Sequence, residues 1–355
     1  MTDYYVDGTG AGNNSNNGLS YSAAWAAPPG LGHNKTLYPG DVVHIKPGSG
    51  WSGLWELSSG TGYGGGGTRS NPIAIIVDRI WPGAAPDAQV TLTGAIYVAQ
   101  DGIKIDGISG DLGSNDQPVG YGLVVRNNAG FSSRTDTAFI AVDVDEINLR
   151  HILFTAYNGS SPNCGYAIFQ PRGVRSSEFR YIFLDNQNSD QHITGFEMDR
   201  GTSYDVLFDH CYAARFGPAS GPVMSGGDNY WIGFHSTDIR GPITLNYCQF
   251  FANAARACDI GGLNGQSGDW IFNYCQARNN RVSGWGVSGE SPNVGYDPRI
   301  YFNYCIARDC ADYGWKIYEV GGTVHINNCI SCRNDIGVLF YADGPAGDDW
   351  LTLHI

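Results

Sequence analysis

The chain has 355 residues with 34 acidic against 21 basic side chains, a formal charge of −13, 50 glycines and only 15 % charged residues. So acidic a balance excludes nucleic acid as a partner, because phosphate binding needs a basic surface, and no apolar run reaches the roughly 18 residues of a membrane span. The length suits one elongated domain better than two globular ones, and nine cysteines, an odd number, exclude complete internal pairing.

In chain order, residues 1–50 read as an entry module and 51–355 as a solenoid. Tyr4-Tyr5-Val6-Asp7 is a strand, and a loop of Gly, Asn and Ser follows. Ser22 to Ala27 is expected to make one or two helical turns before Pro28-Pro29 stops them. Pro39-Gly40-Asp41-Val42-Val43 is a turn into the first buried strand. The start carries no basic and apolar signal segment, so the protein is expected to be secreted after losing one, or to travel on a virion. Residues 73–155 form irregular first coils. The Gly64–Gly67 run lacks the Lys-Ser/Thr and helix of a phosphate loop, and the histidines show no zinc spacing.

From Asp205 onward one phrase recurs: Phe208-Asp209-His210-Cys211, Leu245-Asn246-Tyr247-Cys248, Phe272-Asn273-Tyr274-Cys275, Phe302-Asn303-Tyr304-Cys305 and Ile326-Asn327-Asn328-Cys329. Its cysteines lie 37, 27, 30 and 24 residues apart. Two earlier copies carry Ile152 and Ile182 in the Cys slot. A second phrase alternates with it, small–apolar–variable–apolar, at Gly165, Gly195, Gly284, Gly314 and Gly337, with looser copies at Gly122, Gly221 and Ala257. Such a period marks a solenoid. The apolar runs are three to five residues, rich in Phe, Ile, Val and Tyr and bounded by Gly, Asn or Asp, which makes them strands. Short strands stacked coil on coil give an all-β parallel β-helix. A β-sandwich would not need one residue type at one slot in five units. The Asn before each Cys is expected to take the bend and to bond to its neighbours above and below. The Cys and Ile are expected to stack inward as free thiols and small hydrophobes.

The Tyr-Tyr-Val-Asp opening, the Trp25 segment, Pro39-Gly40-Asp41-Val42-Val43 and Ser58-Ser59-Gly60-Thr61 followed by Asn71-Pro72-Ile73-Ala74-Ile75 resemble the N-terminal cap of right-handed parallel β-helix proteins. That pectate-lyase-like superfamily holds polysaccharide lyases, glycoside hydrolases and phage tailspikes. The resemblance, with the repeats, covers nearly the whole chain and implies a right-handed solenoid acting on a polysaccharide. A tailspike-like protein would be a trimer. The chain's last residues read as a strand with no closing helix, so a further portion or a partner is expected over the last coil.

With the second phrase as a ruler, the variable slot and the slot two further on point outward. The first outward column then reads Val124, Ala167, Glu197, Val223, Asp259, Gly286, Lys316 and Leu339. The second reads Arg126, Phe169, Asp199, Ser225, Gly261, Ser288, Tyr318 and Tyr341. Glu197, Asp199 and Asp259 are the expected catalytic carboxylates. Arg200, Trp285, Glu290, Lys316, Tyr318 and Glu319 are the expected substrate-binding residues, with Phe169, Trp285, Tyr318 and Tyr341 as aromatic rims. Glu197 and Asp199 lie about 7 Å apart on one strand and Asp259 two coils away at about 10 Å, so pairs drawn from the three suit the carboxyl separation of roughly 6.5–9.5 Å used in inverting hydrolysis. Hydrolysis needs no cofactor. The alternative is β-elimination on a uronate polymer, with Lys316, Tyr318 or an arginine removing a proton and Ca²⁺ held by Glu197, Asp199 or Asp259. A non-catalytic glycan-binding fibre is the third class.

Overall fold

A computed structural model describes residues 1–85, 88–107, 121–126, 137–155, 166–186, 193–198, 203–217, 231–236, 241–261, 268–288, 299–318, 322–341 and 351–354. Its 28 strands form one continuous parallel ladder wound into coils. Three faces emerge from the pairing. The first begins with Asp3–Val6, Val42–Ile45, Ile73–Val77 and Ile103–Asp106 and, higher up, runs through Tyr204–Asp209, Ile243–Asn246, Trp270–Asn273, Arg299–Asn303 and Gly322–Asn327. The second holds Leu123–Arg126, Tyr212–Ala214, Gln249–Phe251, Gln276–Arg278, Ile306–Arg308 and Ile330–Cys332. The third holds Phe139–Val142, Tyr166–Arg172, Ile193–Met198, Phe234–Ser236, Cys258–Ile260, Ser283–Ser288, Tyr313–Tyr318 and Ile336–Tyr341. The long strands Asn148–Thr155 and Arg175–Asp185 serve the first two faces in turn, and Gly50–Ser58 and Val90–Ala99 the last two.

The interior is built of rows. Phe179, Phe208, Leu245, Phe272, Phe302 and Ile326 stack along the first face. Phe139, Phe169, Phe196, Phe234, Cys258, Trp285 and Trp315 stack along the third, all buried. At the corner between the first and second faces lies the thiol column: Cys211, Cys248, Cys275 and Cys305 are buried, Cys329 is half-buried, and all are free. Burial pushes the Cys211, Cys248 and Cys275 thiols up, so they stay protonated, and each Sγ–H donates to a backbone carbonyl of the neighbouring coil.

The corner between first and second faces departs from expectation in one respect. The left-handed residue is not the Asn but the residue after it: His210, Tyr247, Tyr274, Tyr304 and Asn328 have φ of 52°, 53°, 56°, 55° and 53°. The Asn ends the strand, and its amide builds the expected ladder: Asn273 donates to Asn246, Asn303 to Asn273 and Asn327 to Asn303, each at 2.9 Å. The displaced rings stack outside it, from His151 and Tyr181 through His210 to Tyr247, Tyr274 and Tyr304, with centroids 4.9 to 5.1 Å apart. In the entry module the expected helical turns reduce to a 3₁₀ turn at Tyr21–Ala23. Pro28-Pro29 leaves no room for a longer one, and Trp25 bridges instead to Val6 and stacks on Tyr4 at 4.9 Å.

Candidate functional site

One outward column crosses the third face, and strand register fixes its members. Tyr97 pairs with Ile140, Ile140 with Gln170, Glu197 with His235, His235 with Asp259, Asp259 with Gly286, Gly286 with Lys316 and Lys316 with Leu339. Gln170 Nε2 donates to Glu197 Oε2 across 3.3 Å, which closes the one remaining step. Each member is flanked in its strand by inward residues, such as Phe196 and Met198 around Glu197, or Cys258 and Ile260 around Asp259. That alternation holds the polar side chains on the outside.

The centre of the column is charged and closely packed. Asp259 is only 2 % exposed, and His235 is buried beside it. Arg256, three residues earlier, grips Asp259 Oδ2 through Nη1. The other oxygen, Oδ1, has no hydrogen-bond partner among the described residues. Gly286 occupies the next rung, and a Cβ there would lie 2.8 Å from that same Oδ1. Lys316 follows, its Nζ 5.7 Å from the Tyr313 ring centroid. Burial and the neighbouring Arg256 charge lower the Lys316 pKa from its ordinary value, while Asp259 and Asp312 pull the other way and lose.

Of the residues expected from the sequence, Glu197, Asp259 and Lys316 share this column. Tyr318 and Tyr341 follow Ser288 in register, as the ruler required, although only their backbones are described. Asp199, Arg200, Glu290 and Glu319, like Val223 and Ser225, lie outside the described residues. Several expectations are overturned. Trp285 is no rim: its ring is wholly buried, 5.6 Å from Phe272 and 5.5 Å from Phe302 between centroids. Phe169 points inward because it pairs with Phe196, three positions out of step with the Gly165 copy of the phrase, and a slip by an odd number turns each side chain to the other side. Ala167 moves with it and is buried. Val124 and Arg126 belong to the second face, not this one.

Gln170, His235 and Arg256 were not found from the sequence. His235 had a signal, since Gly233-Phe234-His235 fits the small–apolar–variable phrase, but Ser236 stands where the phrase asks for an apolar residue. Of the carboxylates expected to hold Ca²⁺, Asp259 is already held by Arg256 with Lys316 close by, and Asp199 lies outside the described residues. Among the described residues no group of three or more metal-ligating side chains is gathered.

No protein-family model matches the chain, and no curated protein does. Among solved structures it is similar to pectate lyase Pel9A, at 14 % identity and a TM-score of 0.49 over 98 % of this chain and 79 % of that one. It is also similar to a rhamnogalacturonan lyase, at 12 % identity and a TM-score of 0.44 over 100 % and 85 %. A third is the GH136 lacto-N-biosidase from Eubacterium ramulus, at 12 % identity and a TM-score of 0.39 over 100 % and 68 %. In fold, the chain is a parallel β-helix, as its own strand pairing shows.

Proposed function

We propose that this protein cleaves glycosidic bonds of an extracellular polysaccharide along its third face, by hydrolysis with Glu197 and Asp259 as the carboxylate pair. The observation that carries the reading is the shared column. Two carboxylates stand two rungs apart on one rigid face, with His235 between them and Gln170 holding Glu197. At about 4.8 Å per rung their Cα atoms are roughly 10 Å apart, close to the upper end of the roughly 6.5–9.5 Å between carboxyl groups that leaves room for a water molecule. The protein acts outside the cell or on a virion, and among the described residues no helix is long and apolar enough to cross a membrane.

Glu197→Gln and Asp259→Asn should each lower turnover by about 10²- to 10⁴-fold. Digestion of a glycan panel by wild type and both variants, with product masses, measures this. Near-normal turnover in both variants would place the chemistry elsewhere. One observation favours elimination as a second reading: Lys316, with its lowered pKa, stands on the same column as a base for an acidic C–H. Elimination leaves an unsaturated product absorbing near 235 nm, and hydrolysis does not. A wild type that releases no product from any glycan would leave only the binding fibre.

A further inference from the structure

The entry module that closes the base of the solenoid turns on one histidine. Trp25, 1 % exposed, is covered on one side by Tyr4 and on the other by His33, whose ring lies 4.1 Å away between centroids and 20° from parallel. His33 Nδ1 accepts the backbone N–H of Lys35 at 3.0 Å. The backbone of Asn14 bonds the same ring, and with Nδ1 taken that bond runs from Nε2–H to the Asn14 carbonyl. The ring is therefore neutral, with its proton on Nε2. Its partners are fixed points of the module. Asn14 Oδ1 accepts the N–H groups of Ala26 and Ala27 at 2.9 and 3.1 Å, and its Nδ2 donates to the Gly32 carbonyl at 3.0 Å. Trp25 Nε1 donates to the Asn16 carbonyl at 3.0 Å. His33 thus joins loop 30–36 to loop 13–18 and to the Trp25 ring. In those two loops no other side chain changes charge between about pH 5 and 8.

A second proton can enter only at Nδ1, where it would face the Lys35 N–H. Two donors cannot share one bond, and a donor left unmatched costs more than the bond contributed. Contact with the Trp25 face favours the cation, but at a half-buried site that gain is the smaller one. Burial and the Lys35 ammonium, the one charge acting on the ring among the described residues, also oppose the cation and together outweigh the Asn14 bond. That ammonium lies 5.4 Å from the Tyr4 ring centroid, on the same stack of rings. The closed module therefore holds His33 below its ordinary pKa of 6.5. From about that pH downward the opened loop takes the proton more readily than the closed one. The closed form loses stability as pH falls, and stops losing it below the folded value.

We propose that His33 is an acid-sensitive clasp: on protonation its ring leaves Trp25, and loops 13–18 and 30–36 open together while the coils stay wound. Mildly acidic surroundings then uncover the Trp25 ring and the base of the first coil, and neutral pH covers them again. The response is independent of any glycan chemistry on the third face.

The test is hydrogen exchange of the full chain, read by mass spectrometry between pH 7.5 and 5.0 and corrected for the intrinsic pH dependence of exchange. The amides of Ala26, Ala27 and Lys35, each bonded within the clasp, report its opening. Protection of peptides covering 13–18 and 24–36 should fall by about three- to tenfold at pH 5.0 in the wild type. Peptides from the coils at 243–251 and 270–278 should keep theirs. His33→Asn, whose side-chain oxygen can take the Lys35 N–H but cannot titrate, should show no such fall. The wild-type midpoint needs no variant, so it decides the matter even if His33→Asn does not fold: it should lie between about pH 5 and 6.5. A midpoint near pH 4 belongs to carboxylates and overturns the proposal. So does unchanged protection in the wild type, an equal fall in folded His33→Asn, or a fall in the coil peptides alongside those of the entry module, which would be acid unfolding of the whole chain.

Discussion

At Lys316 two influences oppose each other on one ammonium group. Burial and Arg256 favour loss of the proton, Asp259 and Asp312 favour keeping it, and the first pair prevails. The folded pKa therefore lies below the ordinary 10.5 that the unfolded chain retains. Between those two values the unfolded chain binds more protons, so this group makes stability rise with pH there, while below its folded pKa the buried charge is a constant cost. Lys316→Met should remove both effects. Urea midpoints measured from neutral pH to pH 10.5 should climb for wild type relative to the variant. A parallel course for the two would show that the ammonium is solvated as freely in the fold as out of it.

Each regular first-face strand ends at a corner with left-handed backbone. Tyr274 sits in the left-handed region with φ 56°, where a β-branched side chain is strained by roughly 1–2 kcal/mol. Asn328 holds the same corner one step beyond Tyr304, so Tyr274→Asn should be milder than Tyr274→Val, by about 1 kcal/mol or more in urea melts. Equal losses would mean that the ring stack, and not the backbone, governs the corner. Much of this was legible in the sequence. The recurrence of Asn-Tyr-Cys disclosed strand, corner and inward thiol, because those three slots repeat the same surroundings in every coil. The bend was assigned to Asn because Asn tolerates left-handed backbone, whereas ring stacking and the amide ladder move the bend one residue on. The third face was legible from Gly284 upward, where Gly286, Lys316 and Leu339 follow one another as expected. It was misread at Gly165, because small–apolar–variable–apolar is a pattern that two frames of one strand can satisfy. Arg256 leaves no repeating trace, since it lies in a connection and acts on one coil.

On the scale of the molecule, stability comes from rows that pass through every coil, and each coil relies on its neighbours. Trp285 stands in the third-face row between Cys258 and Trp315 with no exposed surface. Trp285→Ala should therefore cost about 3–5 kcal/mol, read as a lowered urea midpoint, while the fraction still folded keeps its glycan binding. Lost binding at unchanged stability would return this ring to the surface. The connections between faces differ in a way that bears on how such a protein changes over time. From first to second face the step is two residues in each regular coil, as at Tyr247-Cys248 and Tyr274-Cys275. From third face back to first it runs from two residues at 173–174 to ten at 289–298. Length is thus free to vary beside the charged column and nowhere along the amide and ring ladders. An inherited insertion at that border leaves every rung in register, so the edge of the charged column can change without the chain first solving its folding problem again.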